Sequence, residues 1–357
     1  MYHFLSPFCI DIEPMLRLLL INFENDPDAT YMGFEPQVFD DAVHGKGHLV
    51  IGWRNDGKVD VYHEPSLTPS PKKYDIAGKG LENMIECQFD VAFFEINETG
   101  VQANYQFRDV HNRIVRLKIA EKNLKERRPF GLLAPMGSAA EKPSAMPLVM
   151  LHDFYFVRKS KTDFEVFIDD VQHKPDKLPL PMDRTWMYFA RYSPNPLIAR
   201  LNPEFDGTVA TTAVKKGSKT HKQGDYIFDF VWENDSIFLR RLTRLNDVHP
   251  IALKFEDPFP DITSMENNSG INGKFTVEAD SSIGTIMGDY SVDKNGDTTQ
   301  IEIRFGGWKP KPDKFSLRFL YTIAGVFKKW PSTYVWNAQI NENKGGNYSM
   351  TSKWKRI

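Results

Sequence analysis

The chain has 357 residues, 41% of them hydrophobic and 26% charged, with a formal net charge of −2. That composition excludes a disordered chain, and the length exceeds one ordinary core and suits two domains of about 150–200 residues each. The near-neutral balance, with Lys125, Arg127 and Arg128 as its densest basic cluster, argues against nucleic acid as a partner.

Two cysteines, Cys9 and Cys87, do not make a disulfide framework and fit a reducing compartment. The N-terminal residues lack the pattern of a signal peptide, because Arg17 interrupts the candidate apolar stretch Met15–Ile21. No run approaches the roughly 20 apolar residues of a membrane helix. The expectation is a cytoplasmic protein with no integral membrane segment.

In chain order, the first expected element is a helix over Glu13–Phe23. His44 and His48 follow, separated by two glycines that argue against a helix turn, so an exposed loop is expected there rather than a metal site. Residues 64–80, with Pro65, Pro69, Pro71, Gly78 and Gly80, read as a loop. An antiparallel meander then covers 85–119. Ile85, Cys87, Phe89, Val91 and Phe93 share one face, then Val101, Ala103, Tyr105 and Phe107, then Val115, Leu117 and Ile119. The polar turns Asn97–Gly100 and Asp109–Arg113 separate the strands.

Residues 121–147 turn from charged to Gly-, Ala- and Pro-rich, and a long connection of this kind is often a lid. The strand Leu151–Arg158 is apolar on both faces, which aligns His152, Asp153, Tyr155 or Arg158 with buried rings in either register. A buried ionisable group is costly unless paired, and sites exploit the resulting shifts. The two-sided strand Trp186–Tyr192 adds Arg191 and Tyr192, making six candidate ligand-binding residues. Residues 171–184 are another Pro-rich loop, and a domain boundary is expected in Ser193–Gly207, dividing the chain into 1–200 and 201–357.

Beyond it, Tyr226, Phe228, Phe230 and Trp232 share a face, as do Phe275, Val277 and Ala279. Lys294-Asn295-Gly296-Asp297 joins the strands 286–292 and 299–305 as a hairpin, since Asn-Gly accepts positive φ. Asp293, Asn295 and Asp297 resemble the start of a calcium loop, but Thr298 and Arg304 replace its required Gly and Glu. Gly306–Pro310 reads as a turn that exposes Trp308. An amphipathic helix is expected over 314–329, capped by Asp313 and stopped by Pro331, before two last strands around 334–340 and 348–354.

The chain carries no nucleotide loop, hydrolase elbow, zinc helix or paired-cysteine motif, so no cofactor and no metal is expected, and the catalytic residues, if any, stay unassigned. The fold class that follows is all-β: two consecutive antiparallel barrel or sandwich domains with few helices. The meander 85–119, the hairpin 286–305 and the helix 314–329 resemble the lipocalin-like tandem-barrel proteins, which include carotenoid hydratases of the hydroxyneurosporene synthase type. No stretch here matches that family's Trp/Asp/His motif, so no catalytic residue carries over. The resemblance implies a lipophilic small molecule, bound or converted without a cofactor in an aromatic-lined cavity. A carbohydrate-binding protein or a non-catalytic scaffold is the alternative.

Overall fold

The computed structural model describes the chain except residues 135–142, 183, 248, 280, 282, 312–317, 319–329 and 344. The helix expected over 314–329 therefore lies almost wholly outside the described residues. Elsewhere strands dominate, arranged in antiparallel sheets with one parallel pairing, Val59–His63 beside Leu81–Glu86.

From Ile10 to Leu201 the strands form two layers. The larger sheet runs, in spatial order, through Ile10–Glu13, Pro196–Leu201, Met146–Arg158, Met187–Ser193, Arg17–Asn22, Tyr31–Asp41, Gly45–Arg54, Val59–His63 and Leu81–Glu86. The smaller is a five-stranded sheet built on Val91–Asn97, Gly100–Arg108, Ile114–Glu121, Thr162–Ile168 and Val171–Gln172. From Phe205 onward nearly every strand joins one ten-stranded antiparallel sheet that runs from Phe205–Val209 to Thr220–Gln223. These sheets end in free edges, and no closed barrel is found among the described residues.

The chain changes sheets at Asn202, inside the stretch expected to hold the domain boundary. Strands occupy both sides of it, and Trp354 Nε1 donates to the carbonyls of Leu201 (3.0 Å) and Asn202 (2.9 Å). The N-terminal segment crosses over as well: Tyr2–Phe4 pairs with Thr212–Val214. Phe4 meets Phe230 edge-on at 5.0 Å, and Phe8 meets Phe259 at 4.8 Å. One buried apolar cluster consequently joins Phe4, Phe8, Leu148 and Leu197 to Phe255, Trp336 and Trp354.

The structure corrects five local expectations. Glu13–Phe23 is not a helix but the end of one strand and all of another, Ile10–Glu13 and Arg17–Asn22. Both faces of Arg17–Asn22 are covered, and a two-sided strand lacks the alternation that separates strand from helix. The strand expected over 85–93 is broken at residues 87–90, leaving Cys87 half-buried just past a strand end. Past the break the faces are exchanged, so Phe94 is buried while Val91 and Phe93 are exposed, as a one-residue slip requires. His44 is buried rather than on an exposed loop, and the strand Gly45–Arg54 takes in His48. The 121–147 connection contains a strand, Phe130–Ala134, paired with Met146–Arg158. Trp308 is buried in the strand Thr298–Lys309, its Nε1 donating to the Ile283 carbonyl at 2.8 Å.

Other expectations match. Val101, Ala103, Tyr105 and Phe107 all face the core, as do Val115, Leu117 and Ile119. The hairpin turns at Asn295-Gly296, with Gly296 at φ +60° and Asn295 opposite Thr298.

Candidate functional site

The larger N-terminal sheet is apolar on both sides because each side meets a different layer. On one side Leu19, Ile21, Phe34, Val50, Ala190 and Tyr192 pack against Val101, Tyr105, Leu117 and Val166 of the five-stranded sheet. The alternate residues of the same strands look the other way: Leu18 and Leu20, Glu35 and Gln37, Ile51 and Trp53, and Arg191. They line a cavity of about 320 Å³, near the lower end of the range for small-molecule sites, ~300–1,000 Å³. Glu13, Val149, Ile198 and Arg200 complete that wall.

The segment Lys73–Gly78 covers the cavity. Tyr74 and Ala77 are buried against Phe39 and Ile51, so this cover is packed rather than loosely draped. It belongs to the Pro-rich loop 64–80. The 121–147 connection touches it through Ser144, whose Oγ donates to Asp75 Oδ1 at 2.9 Å and to the Lys72 carbonyl at 3.1 Å.

Two carboxylates in the wall stand in opposite electrostatic settings. Glu13 accepts from Lys73 Nζ at 2.5 Å and Arg200 Nη1 at 3.3 Å, and lies 3.2 Å from His44 Nε2. Burial alone would raise its carboxyl, but the bonds to His44 and Lys73 and the charges of Lys73 and Arg200 hold it down to about 2. His44 is bracketed, since its Nδ1 lies 3.2 Å from Asp41. Glu35 has no such cations. Gln37 Nε2 donates to it at 2.7 Å and Trp53 Nε1 at 3.2 Å. Burial is the dominant influence and pushes its carboxyl up, which those two bonds and the more distant charge of Arg191 only moderate.

Arg191 stands on the strand Met187–Ser193, directly opposite Leu20. Its Nη1 donates to Asn22 Oδ1 at 3.0 Å, and its guanidinium lies 4.6 Å from the ring centroid of Phe189. Burial pulls it down to about 10, with Glu35 and Glu24 opposing, so it remains charged at neutral pH. Lys73 and Arg200 are committed to Glu13, whereas Arg191 has no carboxylate within ion-pair distance among the described residues.

Of the six residues singled out in the sequence, Arg191 alone lines this cavity. Arg158, Tyr155 and Tyr192 come together elsewhere, around the fully buried Glu121. Arg158 spends its side chain there: Nε on Glu121 at 3.3 Å, Nη1 on the Lys125 carbonyl at 2.6 Å, Nη2 on the carbonyls of Thr99 and Asn123. Tyr192 Oη donates to Glu121 Oε2 at 3.0 Å and itself accepts from Arg127. Tyr155 stacks on Tyr192 at 5.5 Å. Asp153 is half-buried and accepts a long bond from Asn195, 3.4 Å. The His152 side chain lies outside the described residues.

The carboxylates Glu13 and Glu35 were missed because neither sits in a clean alternation. Glu13 ends a strand just before Pro14, and Glu35 follows a bulge between Tyr31 and Gly33 and precedes Pro36. No group of three or more His, Cys, Asp and Glu side chains suited to a metal ion is found among the described residues. No helix among them is long and apolar enough to cross a membrane. No family model, curated protein or solved structure matches the chain.

Proposed function

We propose that the cavity under Lys73–Gly78 holds a small, mainly apolar molecule, either as a binding site or for a conversion that needs no cofactor. The observation that carries this reading is a cavity walled by apolar side chains such as Leu18, Leu20, Ile51 and Tyr74 together with polar groups, among them the buried Glu35 and the half-buried Arg191. Convergence of a few polar groups in an apolar pocket is the usual form of a small-molecule site. A filled scaffold would have closed this space, because empty apolar volume forfeits packing energy. The resemblance to lipocalin-like proteins points the same way.

The test uses Nile red, an uncharged apolar dye whose emission rises on leaving water. The wild-type protein should enhance its fluorescence saturably. Ala77→Trp, which places a large ring from the cover into the cavity, should abolish the enhancement while circular dichroism and thermal midpoint show the fold retained. Equal enhancement by the two proteins would refute the site. Native mass spectrometry of protein freshly purified from cells should show a co-purified lipophilic mass that the Ala77→Trp variant lacks.

A further inference from the structure

A guanidinium taken out of water without an anionic partner is unfavourable, so its retention in an apolar wall calls for a counter-charge. The cavity holds three cations, and two of them, Lys73 and Arg200, are joined to Glu13. Among the described residues Arg191 makes a single side-chain bond, to the neutral amide of Asn22. Leu20 stands directly opposite it; Glu35, on the strand beyond with its backbone roughly 10 Å away at ordinary strand spacing, and Glu24 act on it through their charge without forming an ion pair with it among the described residues. Its guanidinium thus faces the cavity with most donors unassigned, above a floor of Leu18, Leu20 and Ile51.

We propose that Arg191 receives the carboxylate of an apolar monoacid, whose hydrocarbon body fills the rest of the cavity. One guanidinium matches one carboxylate in charge and in its planar two-point geometry. A dianionic phosphate would bring a second charge that no remaining cation among the described residues balances. Burial pushes the Glu35 carboxyl up toward its protonated form, which lessens its repulsion of a bound acid. This inference rests on the cavity being a ligand site, and its test separates the two claims.

Decanoate and 1-decanol, matched in chain and differing in charge, are titrated as competitors of Nile red. Decanoate should displace the dye at a concentration at least about tenfold lower than decanol, the scale of a hydrogen-bonded charge in a dry site. Arg191→Met should erase that preference, so that decanoate and decanol displace the dye at similar concentrations, whereas Arg191→Lys should keep part of it. Wild-type protein that binds dye without preferring the acid overturns this inference alone, as does an Arg191→Met variant that keeps the preference. If Nile red does not bind at all, the cavity reading falls and this one falls with it. The wild-type comparison needs no variant to fold.

Discussion

Arg191 and Tyr192 are adjacent in sequence yet end on opposite sides of one sheet: the guanidinium enters the cavity, and the phenol donates to Glu121 Oε2 at 3.0 Å beneath it. Substitutions at the two positions should separate accordingly. Tyr192→Phe leaves Glu121 short of a donor and should lower stability by about 1–3 kcal/mol in urea denaturation, with Nile red affinity unchanged. A loss of dye binding in Tyr192→Phe that matched Arg191→Met in decanoate binding would show that the faces are not independent.

Glu121 is the hub of the lower side. It accepts from the backbone amides of Val101 (3.0 Å) and Arg158 (2.9 Å) as well as from the Arg158 side chain and Tyr192. Glu121→Ala should cost about 3–5 kcal/mol, because it strands a buried guanidinium. A urea midpoint close to wild type would mean that water or a neighbour replaces the carboxylate.

Gly100 makes room for that carboxylate. It sits at φ +135°, and a Cβ there would lie 2.1 Å from Glu121 Oε2. Gly100→Ala should therefore destabilise by at least about 1–3 kcal/mol through backbone strain and displacement of Glu121. The double variant Gly100→Ala/Glu121→Ala should lose less than the sum of the singles. Strict additivity in the cycle would refute the steric coupling.

Two of the cavity carboxylates, Glu13 and Glu35, should respond to pH with opposite sign. Glu13 is lowered from 4.5 to about 2, so it contributes stability that is fully present above pH 4.5 and lost as pH falls toward 2. Discounted for partial solvent screening, that contribution is about 2 kcal/mol at neutral pH, and Glu13→Gln should lose it there but little at pH 2. Glu35 is raised, so its contribution is present below pH 4.5 and lost as pH rises through the folded-state value. Glu35→Gln should be at least as stable as wild type at pH 8 and should lose that advantage by pH 4. Denaturation curves at the three pH values check both signs.

The fold was legible wherever one face of a strand meets water. In Gly100–Arg108, the residues Gln102, Asn104 and Gln106 alternate with buried Val101, Ala103, Tyr105 and Phe107, and periodicity sufficed. Arg17–Asn22 misled because both of its faces are covered, so Leu18 and Leu19 look equally apolar. At 87–90 an interruption without glycine or proline exchanged the faces of the strand that followed, which no pattern announced. The site was legible at Arg191 for the reason Arg17–Asn22 was not: a charge in a two-sided strand must be buried. What that burial serves depends on pairing. Arg158 finds Glu121 from a distant strand, whereas among the described residues the Arg191 guanidinium bonds to Asn22 and to no carboxylate. Partners brought together by long-range pairing leave no mark on local spacing.

Phe8 packs on Phe255, Phe259 and Trp336, all from the later sheet. Phe8→Ala should cost about 3–5 kcal/mol, visible as a lower thermal midpoint, and should leave the Nile red affinity of the folded protein unchanged. Unchanged stability would mean that the segment is not structurally coupled to the later sheet.

The crossover of Tyr2–Phe4 onto Thr212–Val214 sets an order of events in biosynthesis. The opening strand leaves the ribosome about 210 residues ahead of its mate, a gap of roughly 10–40 s at ordinary elongation rates. Throughout that interval Phe4, Leu5 and Phe8 lack the later-sheet surface they pack against, so this segment of the nascent chain stays unsheltered. Completion of the later sheet, rather than of the earlier one, is what covers it, and chaperone occupancy of residues 1–10 should persist until then.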